Sequence, residues 1–132
     1  MKTREEAIIS LTPAADYSAK RGYLVTHDGT TATLSASATV RAKGVILDAN
    51  PTAAGYANEK VTVALLGSVP GTVLMCAGGV IAAGDWVQQD SDGQVLTDAG
   101  SGGRVIVGQA LEAATAAGDL IEVAPIAPLP LS

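Results

Sequence analysis

Val80-Ile81-Ala82-Ala83-Gly84-Asp85-Trp86-Val87-Gln88-Gln89-Asp90-Ser91-Asp92-Gly93-Gln94-Val95-Leu96 alternates turn chemistry with strand chemistry at short intervals, and that alternation decides the fold. Gly84 tolerates the positive φ that a tight reversal requires, and Asp85 can bond its own nearby backbone. The stretch reads as a hairpin: a strand over Trp86 to Gln89, a reversal over Asp90 to Gly93, and a returning arm over Gln94 to Thr97. The same opening recurs 34 residues on, where Ala116-Ala117-Gly118-Asp119-Leu120-Ile121 repeats Ala82 to Val87 in residue type. The chain uses one device twice.

Outward from this unit, the rest of the chain carries similar signals. Gly22 to His27 and Thr30 to Leu34 flank Asp28-Gly29, a strong hairpin signal, and pairing outward from that dipeptide sets Val25 opposite Ala32 and Tyr23 opposite Leu34. Val40 to Ala49 reads as a strand in which Gly44 marks a bulge or a close backbone approach. Asn50 to Asn58 is a loop of turn formers. Lys60 to Leu66 sets Val61, Val63 and Leu65 on one face and Thr62 and Ala64 on the other, and Pro70-Gly71 closes it. Thr72 to Ala77, Arg104 to Leu111 and Leu120 to Val123 complete a series of short strands with turn signals about every 8 to 12 residues. The expectation is an all-β chain, or mainly β with a short helix, folded as a small compact β-barrel or sandwich.

The ends differ from this body. Residues 1–20 predict an N-terminal arm, partly extended, in which Arg4 to Ser10 can form at most a turn or two of helix before Pro13 breaks it. Three of the six prolines fall between Pro125 and Pro130, so residues 125–132 predict an extended C-terminal tail lying along the body or on a neighbour. Residues 21–124 are then a single β-rich domain, in line with a length of 132 residues.

Composition limits what such a body can do. Of the 48% hydrophobic residues, 24 are Ala and 32 are Val, Leu or Ile, and Phe is absent, which favours closely packed sheets over an aromatic-lined pocket. Residues 1–60 carry seven basic and six acidic side chains, whereas residues 61–132 carry Arg104 against seven acids. That acidic half repels nucleic acid, and no basic stripe with interleaved aromatics offsets it. The charged start is not a secretory signal, and no window approaches the roughly 18 apolar residues of a membrane span. The expectation is therefore synthesis in a cytoplasm, with neither membrane nor nucleic acid as a partner. Cys76 lies in an apolar run and reads as a buried thiol.

Catalytic and metal-binding patterns are fragmentary. His27 sits beside a turn with no second ligand at a useful spacing, and Asp85, Asp90, Asp92, Asp98 and Asp119 all neighbour turn residues, where Asp is structural. Asp90-Ser91-Asp92-Gly93 opens like a calcium loop yet lacks the later ligands, and Gly100-Ser101-Gly102-Gly103 is a connection without the strand and helix of a phosphate cradle. The expectation is no catalytic residue, no metal and no cofactor. Trp86, the only Trp, follows a turn and is either core filler or an interface anchor.

Taken in order, Ala14-Ala15-Asp16-Tyr17-Ser18-Ala19, Gly44-Val45-Ile46, Glu59 to Ala64, Gly78 to Asp85, Val107 to Ala114 and Gly118 to Val123 resemble the capsid cement, or head decoration, proteins of tailed bacteriophages, over about residues 11–124. The resemblance as read does not extend to the charged start or the Pro-rich finish. The resemblance implies a β-rich structural subunit, not an enzyme. It would bind the outer surface of the assembled head through the major capsid protein, as a homotrimer at local threefold positions, bracing the virion against DNA pressure. Candidate contacts to the shell or the next protomer are Lys2, Arg4, Lys20 and Arg21, with Trp86 as an anchor. The alternative is a surface-displayed carbohydrate-binding or adhesive β-module, which would need exposed aromatic rings.

Overall fold

A computed structural model describes residues 7–49 and 60–132, and every regular element in them is a β-strand. The strands are β1 (Ile8–Pro13), β2 (Leu24–His27), β3 (Thr31–Leu34), β4 (Gly44–Ala49), β5 (Val61–Leu65), β6 (Val73–Cys76), β7 (Trp86–Gln89), β8 (Val95–Thr97), β9 (Arg104–Ala110) and β10 (Leu120–Leu131). β1 to β5 close into a barrel in the order β1-β3-β2-β4-β5, and the rest form a five-stranded sheet in the order β6-β10-β9-β7-β8. That sheet curls: Ala77, just beyond β6, bridges Val95 at the start of β8, so its two edges approach each other.

Three barrel strands, β2, β4 and β5, bury side chains on both faces. Val25, Ile46 and Val63 pack with Leu11, Tyr17, Ala32 and Val61 inside the barrel. Their chain neighbours Leu24, Val45 and Ala64 point the other way, into a larger core with Met75, Ile81, Val87, Val107 and Ile121 of the second sheet. Because successive side chains of a strand alternate in direction, β2, β4 and β5 serve both cores at once. The molecule is thereby fused along these strands. At Gly44 the neighbouring strand leaves no room for a side chain: a Cβ there would lie 2.4 Å from Val63 Cγ1 and 2.8 Å from the Ala64 carbonyl oxygen.

The unit quoted at the outset folds as read. β7 and β8 pair with Gln89 opposite Val95, Asp90 N donates to Gln94 O at 2.9 Å, and Gly93 has φ +86°. The first hairpin differs in register. Val25 faces Leu34 and His27 faces Ala32, because the reversal centres on Gly29-Thr30 rather than on Asp28-Gly29. Asp28 causes the shift: its Oδ1 accepts the N–H groups of Thr30 and Thr31 at 2.9 and 2.8 Å, which leaves the positive φ to Gly29 alone. The displacement is two residues, so every side chain keeps its predicted face. The fourth strand is also shorter than expected, beginning at Gly44 rather than Val40.

Both ends join the body further than the sequence implied. Ile8–Pro13 of the expected arm is a barrel strand, antiparallel to β5 and parallel to β3, and not a helical turn. Pro13 fits because Thr12 N and Ala14 N make the bonds to Thr30 O and Ala32 O, and the proline position between them needs no donor. The expected boundary at residue 125 falls inside β10, whose Leu129, Pro130 and Leu131 pair with Ile106, Val105 and Arg104. All three tail prolines lie past Val123, the last residue of β10 paired with β6, where only one side of the strand is laddered.

Candidate docking surface

The repeated Gly-Asp device builds the frame of the second sheet. In Ala82–Asp85 and in Ala116–Asp119 the Asp N–H donates to the first Ala carbonyl, at 3.1 and 3.3 Å, and Gly84 and Gly118 share φ +94°. Each aspartate then turns back: Asp85 Oδ2 accepts Ala82 N and Asp119 Oδ2 accepts Ala116 N, both at 3.2 Å. The turns clamp one residue each, since Gly84 N and Asp85 O bracket Ala110 while Gly118 N and Asp119 O bracket Ala77. Between them Ile81 and Ala114 exchange both backbone bonds, giving the pair a local two-fold relationship.

These bonds decide what the acids do. The Thr115 N–H is the main cause holding the Asp119 carboxyl below its ordinary value, with the Thr115 hydroxyl and Ala116 N–H adding to it. Asp98 is lowered by the Gly100 N–H and by Arg104, its ion-pair partner. Asp90 and Asp92 each spend an oxygen on the N–H of Ser91 or Gln94. Carboxylates fixed on their own turns are poor proton shuttles. Among the described residues no three His, Cys, Asp or Glu side chains are grouped so as to hold a metal ion.

Of the candidate contacts, Lys2 and Arg4 lie outside the described residues. Lys20 and Arg21 are adjacent on the loop between β1 and β2. Lys20 Nζ sits 4.7 Å from the Tyr23 ring centroid, and Arg21 Nε donates to Leu47 O at 3.2 Å. The next residue, Gly22, caps the free edge of β6 by accepting Cys76 N–H at 2.9 Å. Trp86 lies on the second sheet opposite Gln109, and no hydrogen bond or ring contact joins it to Lys20 or Arg21. At 48% exposure Trp86 is not core filler; Val87 behind it, fully buried, fills the core instead. Cys76 is buried as expected.

One residue with a large positioning role has no motif to reveal it. Gln89, fully buried on β7, reaches across to the barrel loop that precedes β4. Its Oε1 accepts Ala42 N at 3.0 Å, and its Nε2 donates to Ser37 O at 2.7 Å and to Val40 O. A polar residue at an inward strand position was the available signal.

A two-sheet β body whose turn acids serve its own backbone, and which carries an exposed Trp, fits the class of structural β-modules. Residues 3–125 match the phage cement protein family, to which the chain therefore belongs. Its role is that of a capsid cement, or decoration, protein associated with the phage capsid. No curated protein matches the chain.

Proposed function

We propose that the protein attaches to the outside of the assembled head through the major capsid protein, as trimers at local threefold positions, and braces the shell against the pressure of packaged DNA. It is made in the host cytoplasm, performs no catalysis and engages neither nucleic acid nor membrane. The observation that carries this reading is Trp86, a half-exposed indole on a sheet that does not need it for packing. Rigid aromatics of this kind anchor protein interfaces because they bury much area at little entropic cost. Many weakly held copies on a lattice then act together through effective concentration. A sugar platform is less well supported: of the described tyrosines, Tyr17 is buried and Tyr23 is covered by Lys20, which leaves Trp86 without a companion ring.

Adding the purified protein to DNA-filled heads that lack it, then counting bound copies by quantitative gel staining, tests the reading. Saturation at hundreds of copies per head is expected. Saturation at a few copies, or none, would refute it.

A further inference from the structure

A groove of about 520 Å³ opens between the β2–β3 hairpin and the loop before β4, lined among others by His27, Asp28, Thr33, Val40, Arg41 and Lys43. Its lining sets two cations, Arg41 and Lys43, against the single carboxylate of Asp28, in a chain whose formal net charge is −5. Arg41 is exposed and makes no hydrogen bond or ion pair among the described residues. Lys43 Nζ donates to His27 O at 3.1 Å, which steers its ammonium along the groove while leaving its other N–H groups unspent. Asp28 is the one carboxylate in the lining, and its Oδ1 is already committed to Thr30 N and Thr31 N.

The wall of the groove is built rather than loose. The Gln89 amide holds Ser37 O, Val40 O and Ala42 N, and Ser37 Oγ accepts the N–H groups of Thr39 and Val40, both at 3.1 Å. A buried side chain from the other sheet thus fixes a segment outside any strand and holds Val40 outward at 61% exposure. Pre-ordering of this kind lowers the entropy lost when a partner docks.

We propose that this groove receives an extended acidic segment of the capsid protein, whose carboxylates pair with Arg41 and Lys43 and whose apolar side chain covers Val40. The proposal rests on the decoration reading and names the chemistry of the partner. An arginine fork matches a carboxylate in a bidentate fashion, and a lysine adds a point charge beside it. Nucleic acid fits less well, because the seven acids of residues 61–132 oppose a continuous phosphate track and a phosphate backbone gains nothing from Val40.

The test decorates heads with the wild type, with the charge reversal Arg41→Glu/Lys43→Glu, and with the exchange Arg41→Lys/Lys43→Arg. Thermal melting confirms that each is folded. The reversal should weaken binding about ten-fold or more at low salt and flatten its salt dependence, while the exchange, which keeps both charges but moves the guanidinium fork, loses clearly less; an exchange as weak as the reversal overturns the charge pairing. Wild-type occupancy by the reversed variant overturns the groove. If the wild type itself does not decorate heads, the decoration reading fails, and the groove is judged by backbone-amide NMR on the full chain. There, a glutamate-rich dodecapeptide should shift residues 26–33 and 40–43 in the wild type but not in the reversed variant. Absence of those shifts, or equal binding of a single-stranded DNA dodecamer, overturns it.

Discussion

Gln89 lies on β7 of the curled sheet and Ala42 on the barrel loop before β4, yet the Gln89 side-chain oxygen accepts the Ala42 N–H at 3.0 Å with both residues fully buried. The bond ties a barrel loop to the opposite layer where no strand pairing could do so. Gln89→Leu would strand one buried N–H, at a cost of about 1 to 3 kcal/mol, and take the amide donor from two part-buried carbonyls that water can partly satisfy. The expected loss is about 3 kcal/mol in urea unfolding, with faster amide exchange at Ala42. A loss below about 1 kcal/mol contradicts the latch.

Gly44 is required by space. Gly44→Ala would push a methyl into Val63 and the Ala64 carbonyl of β5. Overpacking of this kind costs about 1 to 3 kcal/mol, and the rigid carbonyl places this site at the upper end. Denaturant melts of Gly44→Ala beside Val61→Ala, a cavity in the same barrel, measure it. A neutral Gly44→Ala refutes the close approach.

Acid should weaken the fold through its turn aspartates. Asp16, Asp28, Asp98 and Asp119 all have carboxyls held below their ordinary values, chiefly by backbone N–H groups. A depressed folded value means that stability is fully present above about pH 4 and is lost as pH falls through the folded values. Asp119→Ala should therefore lower the melting midpoint at pH 7 and leave it less sensitive between about pH 4 and pH 2. Parallel acid profiles for the two proteins would show that the Asp119 turn contributes no linkage.

Trp86→Ala separates binding from folding. The indole is half exposed and Val87 fills the core behind it, so the melting midpoint should move little. Binding to heads should weaken about ten-fold or more if the residue anchors the interface. Unchanged head binding removes Trp86 from the docking surface.

Turn chemistry made much of this architecture legible. The Gly84-Asp85 and Gly118-Asp119 turns, the β7–β8 hairpin and the close approach at Gly44 all follow from residues that tolerate few alternatives. Register in the first hairpin was hidden because the competing turn centres differ only in where the Asp28 carboxylate bonds. β1 was hidden by Pro13, which counts as a breaker until the parallel ladder shows that its nitrogen is not needed. The tail prolines misled for a related reason, since half of β10 has a partner on one side only. Gln89 shows locally only as a polar residue at an inward strand position; what it latches, and the groove it shapes, do not, because residues 47 to 52 positions apart meet there.

The central claim is that this β body works by seating on assembled capsid. An electron cryomicroscopy reconstruction of heads incubated with the protein tests it most directly. Added density is expected at the local threefold positions of the outer surface, into which the fused barrel and curled sheet fit with Trp86 or the Arg41–Lys43 groove toward the shell. Undecorated heads at saturating protein would contradict it.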